Sequence, residues 1–235
     1  MLSRLLRTVL TTVLSLLVLS VLLVLLLRWV NPPYSALMLE RHFSTVKTNE
    51  SYSSQRIWIN WDTLPDNLKI AVIAGEDQQF ANHKGFDFAA IRAALSYNQN
   101  SNSIRGASTI SQQVAKNTFL WSARSWPRKA LEAWFTLLIE LLWSKERILE
   151  VYLNSAEWGH GIFGAEAAAQ YHFNTSATHL SNQQAYLLAA ILPSPLLRSA
   201  RQPSATTSKR ARWIGQQVRQ LGGTNYLKKI SAPQN

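Results

Sequence analysis

The sequence contains no cysteine, which excludes a disulfide framework, a thiol nucleophile and a thiolate-held metal cluster. It is also short of acid: 13 Asp and Glu stand against 24 Lys and Arg, a net charge of +11 over 235 residues. So basic a chain should meet something anionic, and nucleic acid, phospholipid headgroups and a phosphorylated substrate all qualify. Charged residues make up only 16%, below the roughly 25% of ordinary soluble domains, while nine tryptophans and an apolar share of 47% point to contact with lipid. The five histidines, His42, His83, His160, His172 and His179, form no HExxH or similar zinc spacing. No internal repeat is present, and the length suits one domain with an appendage rather than two domains.

What is abundant is leucine and valine near the start. The 20 residues from Thr8 to Leu27 carry no charge and span about 30 Å as a helix, one hydrocarbon core. A cleaved signal peptide would have a shorter apolar core ending near a small-residue site. Here Arg28, Trp29, Asn31, Pro32 and Pro33 follow, so an uncleaved anchor over residues 8–30 is expected. Arg4 and Arg7 precede the span, and residues 1–7 are assigned to the cytoplasm by the positive-inside rule. With Arg4, Arg7 and Arg28 set apart, 21 basic residues still face 13 acidic ones.

Prolines 32 and 33 end the first helix, and a linker is expected over residues 31–54. Ile57, Ile59 and Trp61 alternate with Trp58 and Asn60, a period of two that suggests one short strand or extended segment and is the only clear strand signal. Beyond Pro65 the apolar spacing is helical, as in Leu131, Phe135, Leu138 and Leu142, and predicts a mainly α domain over residues 55–198. Pro127 suits a first helical position, Ser144 a cap, and Ser181 with Gln184 a capping box. A basic C-terminal extension is expected over residues 199–235.

Three stretches carry candidate chemistry. In AVIAGEDQQFANHKGFD, residues 71–87, an apolar helix ends in adjacent carboxylates, Glu76 and Asp77. Desolvation there would raise a carboxylate's pKa and suit a general base, although a solvated pair at a helix end has the same pattern. RGASTISQQVAKN, residues 105–117, leads small and hydroxyl residues into a helix whose N-terminal amides could receive a phosphate or a sugar; it equally suits an ordinary capped helix. In RSWPRKALE, residues 124–132, Arg128 and Lys129 share a helical face with Glu132, which alone reads as a surface ion-pair cluster.

Together and in this order, with SKERILEVYLN and GIFGAEAAAQYHF behind them, these stretches resemble the successive motifs of the family 51 peptidoglycan glycosyltransferases, across roughly residues 55–195. With no penicillin-binding transpeptidase domain following, the chain is similar to the family's monofunctional branch. Ala107 stands where the wider family has a second glycine.

The resemblance implies a lysozyme-like, two-lobed, mainly α domain behind one transmembrane helix, facing the periplasm from a bacterial inner membrane. It implies polymerisation of lipid II into β-1,4-linked glycan with inversion, and no transpeptidase activity. Glu76 matches the proposed general base and Glu132 the second family glutamate. Lys116, Arg124, Arg128 and Lys129 match the cations at the donor diphosphate. Ser108, Thr109, Gln112 and Gln113 match the cleft lining, and Asp77, Phe80 and His83 the first motif, where cleft shaping is expected. A divalent cation, magnesium or manganese, is implied at the diphosphate, without a protein cage. The implied partners are lipid II, the growing glycan, membrane lipid and cell-division or cell-wall synthesis proteins, with no nucleic acid. Phe119, Leu120, Trp121 and Trp126 are expected to dip into the membrane. A lytic transglycosylase, which would not need the cations after Lys116, and a membrane-anchored binding module without turnover are the alternatives.

Overall fold

The computed structural model describes residues 2–48, 54–101, 106–123 and 125–231, and helices dominate them. The first helix, α1 (Leu2–Leu26), is exposed over most of its length, and its stretch Arg4–Leu26 is long and apolar enough to cross a membrane. Its last turns are different: Val24 and Leu27 are buried in the domain core. Trp143 Nε1 donates to Val24 O at 2.8 Å, and the Arg147 guanidinium donates to the carbonyls of Leu27 and Val30 at 3.0 and 2.9 Å. These are the carbonyls a helix end leaves without intrahelical partners.

The expected linker is largely a helix, α2 (Ala36–Thr48). After the two prolines, buried Ser35 caps it by accepting from Met38 N at 3.2 Å, and the buried Met38 shows that the segment packs rather than connects. Of the two forms expected at residues 57–61, a short strand or an extended segment, the structure takes the second. The ladder is confined to β1 (Gln55–Arg56), and residues 57–60 run on as extended chain. Their backbone groups are met by side chains: Asn154 Oδ1 accepts from Ile59 N and Asn154 Nδ2 donates to Ile59 O, both at 2.9 Å, and Glu150 accepts from Trp61 N at 3.0 Å. Ile57 is exposed, whereas Trp58, Ile59 and Trp61 all pack against the core. The sheet is completed by β2 (Glu157–Gly159) and β3 (Ile162–Phe163), in the order β1-β3-β2, with β1 parallel and β2 antiparallel to β3.

At the centre lies α3 (Asp66–Glu76), buried continuously from Leu68 to Ala74. Around it follow α4 (Phe88–Asn100), α5 (Ile110–Phe119), α6 (Trp126–Leu142), α7 (Lys145–Ser155), α8 (Ala165–Phe173), α9 (Asn182–Ile191) and α10 (Ala205–Gln220). Ser144 caps α7, and Ser181 with Gln184 forms the capping box of α9, as their positions predict; α6 begins at Trp126 behind its cap Ser125, so Pro127 is its second residue rather than its first. The fold is the mainly helical, lysozyme-like class.

The expected C-terminal extension is instead part of this domain. Helix α10 packs on α9 and α3 through Thr207, Ala211, Ile214 and Val218, a 4-3-4 spacing. Gly215 permits the approach: a Cβ there would lie 2.8 Å from Tyr186 Cε2 on α9.

Candidate active site

Helix α3 ends on Glu76, whose side chain is 11% exposed. Gln113 of α5 donates from Nε2 to Glu76 Oε2 at 3.0 Å, and Gln113 Oε1 accepts from Tyr152 OH at 3.2 Å. These two contacts fix which way the Gln113 amide points. On the other carboxylate oxygen, Arg210 Nη2 lies 3.4 Å from Glu76 Oε1 and donates to Gly75 O at 3.0 Å. Burial holds the Glu76 carboxyl above the usual carboxylate range, with Asp77 adding repulsion, while Gln113 and Arg210 pull the other way. Burial likewise pushes the Tyr152 phenol well up, aided by Glu76 and Asp77, so it stays a hydrogen-bond donor.

Glu76 stands between two cavities. The smaller, about 370 Å³, is lined by Lys116, Asn117, Trp121, Arg41 and Glu157. The larger, about 720 Å³, is lined by Ser108, Thr109, Asp87, Arg210 and Trp213. Glu76, Gln113 and Pro193 border both. A carboxylate so placed can reach a reacting group presented from either side.

The first motif's other residues build this corner. Asp77 is buried and accepts from Ile110 N, at the start of α5, at 2.9 Å, a favourable place for negative charge. Its carboxylate also meets His83 Nε2 at 3.0 Å. Gly85 N donates to His83 Nδ1 at 3.1 Å, which assigns the proton to Nε2. Phe80 is fully buried, and Thr109 Oγ1 donates to Gly85 O at 2.7 Å. Gly85 holds this turn with φ +88°, a conformation that favours glycine. Asp77, Phe80, His83 and Thr109 therefore shape the cleft.

Other expected positions move. The α5 N-terminus is not open to an anion: Thr109 and Gln112 close a capping box on it, and Asp77 fills the next amide. Gln112 is buried in that box and lines neither cavity beside Glu76, unlike Gln113 and the exposed Ser108. Glu132 is buried on α6, where it meets Arg128 Nη1 at 2.6 Å and pairs with Lys129. A carboxylate carrying two cations is held by them, and these three residues line neither cavity. Arg124 lies outside the described residues. The aromatic segment divides: Leu120 is buried and Phe119 packs on the core, whereas Trp121 and Trp126 are 44% and 89% exposed.

Arg210, Trp213, Arg41 and Glu157 were not among the sequence candidates. The first two sit in what reads as a basic tail, and no linear spacing ties them to Glu76. Glu157 accepts from Arg41 Nη2 at 2.9 Å, which binds α2 to the rim of the smaller cavity. Among the described residues no three of His, Cys, Asp and Glu converge as a metal site, so the residues present do not form a cage for the implied divalent cation.

A family model described as transglycosylase matches residues 41–219, from within α2 to the penultimate residue of α10. Biosynthetic peptidoglycan transglycosylase of Stutzerimonas stutzeri strain A1501 is 64% identical over 230 residues, covering 98% of this chain and 95% of that protein. The proteins of the same name from Pseudomonas putida strain W619 and Ectopseudomonas mendocina strain ymp are 62% and 60% identical. They cover 91% and 98% of this chain, and 90% and 95% of their own lengths. With the order of its motifs, its helical architecture and a match over most of its length, the chain belongs to the transglycosylase family.

Proposed function

We propose that this protein is a membrane-anchored glycosyltransferase that polymerises lipid II into β-1,4-linked GlcNAc–MurNAc strands and releases undecaprenyl diphosphate, without transpeptidase activity. The observation that carries the reading is Glu76, a nearly enclosed carboxylate between two polar cavities, one of which contains Lys116. In this scheme Glu76 takes the proton from the acceptor GlcNAc 4-hydroxyl as that oxygen attacks the donor anomeric carbon. The bond from that carbon to the diphosphate breaks, and attack from the opposite face inverts the centre. Gln113 and Arg210 keep the carboxylate oriented and ionised, and Lys116 stabilises the negative charge that grows on the leaving diphosphate.

Within this proposal Arg128 and Lys129 act from α6 on the diphosphate or lipid side, with Glu132 as their partner, and Arg124 joins them. A magnesium or manganese ion would be carried by diphosphate oxygens, and no step above is routed through it. The placement is the bacterial inner membrane, with a cytoplasmic N-terminus and the catalytic domain in the periplasm beside other cell-wall synthesis proteins; Arg4 and Arg7, in the first turns of α1 ahead of its uncharged stretch, support that orientation. Purified full-length protein in detergent, supplied with lipid II, should yield glycan strands digestible by lysozyme. No polymer under conditions where lipid II binds would overturn the reading.

A further inference from the structure

Two exposed tryptophans border the cavities beside Glu76, and Trp213 is the one on the larger cavity. Folding does not call for it there. The buried stripe of α10 is Thr207, Ala211, Ile214 and Val218, and Trp213 lies off that stripe, 40% exposed. It lies on a different helix group from the apolar N-terminal helix: α1 packs against α6, whereas α10 packs on α9 and α3. Its ring is steadied by Arg210, whose guanidinium lies 5.9 Å from the ring centroid and is itself fixed by Gly75 O.

The cavity wall that the ring shares is mixed: Glu76, Asp87, Ser108 and Thr109 supply polar groups beside Ala90, Ala107 and Pro193. One flat apolar face beside carboxylates and hydroxyls suits a ligand with a C–H face and a rim of hydroxyl and amide donors, which is the chemistry of an N-acetylated pyranose. An apolar ligand would leave the carboxylates unmatched, and an anionic one would meet Asp87 and Glu76. We propose that Trp213 is the stacking platform for a pyranose ring of the glycan substrate and sets how firmly the saccharide stays beside Glu76 between transfers. This rests on the glycosyl-transfer reading above.

The test uses full-length protein in detergent, labelled with 5-fluorotryptophan, with Trp213→Phe identifying the Trp213 fluorine signal. Titration with the β-1,4-linked GlcNAc tetramer should move that signal. In lipid II polymerisation, Trp213→Ala should raise KM about tenfold or shorten the strands several-fold, with Trp213→Phe recovering most of the loss. A raised KM at unchanged strand length places the ring on the acceptor; shorter strands place it on the growing chain; either supports the platform. A fluorine signal unmoved by the tetramer, with Trp213→Ala matching wild type in KM and strand length, overturns it. Should wild type itself convert no lipid II, the reaction reading falls and this one with it, whereas normal polymerisation by both proteins removes only the platform.

Discussion

At the scale of single residues, the site turns on holding a charge where solvent would not. Glu76 is raised mainly by burial, so its folded pKa exceeds its unfolded one. The native state then binds more protons between those two values, and stability falls as pH rises through that window. Glu76→Gln removes the penalty. It should therefore melt higher than wild type at neutral pH, with the two melting curves converging below about pH 4.5; a gap that stays constant with pH would refute the assignment. Arg210 opposes the effect of burial on Glu76. Arg210→Gln should shift the acid limb of the kcat/KM profile to higher pH and lower activity near neutrality more than at pH 9, as read from initial rates across pH. Lys116→Ala should reduce polymerisation by at least 100-fold, while Lys228→Ala with Lys229→Ala, both exposed, should leave the kinetics near wild type and change only salt-sensitive membrane binding.

At the scale of elements, what could be read from sequence depended on whether a residue's partner was near in the chain. The helix caps at Ser144 and Ser181 are local patterns and stand where the spacing put them; α6 is a helix as its apolar spacing predicts, but Leu131 of that stripe is exposed and the buried positions are Arg128, Glu132, Thr136, Leu138 and Ile139. Glu76 was legible as a carboxylate closing an apolar helix. Arg210 was not, because its partners Gly75 and Glu76 lie far earlier in the chain and nothing in a run of basic residues marks the one that turns inward. Likewise, period two could not separate a strand from an extended segment at residues 57–61, because the groups that decide it, the Asn154 side chain at Ile59 and the Glu150 carboxylate at Trp61, lie far along the chain. Gln112 misled for the opposite reason: its position matched a family pattern, yet the local capping box takes up its amide. These corrections make a prediction of their own. If residues 199–235 were an extension, truncation after 198 would be harmless. Because α10 covers α3 and α9, that truncation should give aggregated or proteolytically labile protein with no polymerisation, whereas truncation after 231 should be tolerated; soluble, active 1–198 would contradict the packing.

At the scale of the whole molecule, α1 has two roles divided along its length. Its exposed first part suits lipid, and its last turns are domain core, tied by the bond from Trp134 Nε1 to Ser20 Oγ at 3.0 Å and by Arg147. Burying Val24 and Leu27 contributes about 3 kcal/mol, taking the lower end for each side chain. Deleting residues 1–30 should therefore lower Tm by about 6–12 °C for a domain of this size, while deleting residues 1–18 should leave Tm within about 2 °C and remove only membrane retention. Calorimetry in one detergent, with cell fractionation alongside, checks both. The next helix in the chain, α2, packs on α5 and lines the smaller cavity through Leu37 and Arg41, with Arg41 paired to Glu157.

The central claim, that Glu76 is the base for glycosyl transfer between these two cavities, is tested most directly by Glu76→Gln in the full-length protein. Polymerisation of lipid II and binding of lipid II should be measured on the same preparation. The account predicts binding within about threefold of wild type and turnover reduced by about 10² to 10⁴. Near-normal polymerisation by Glu76→Gln would contradict it.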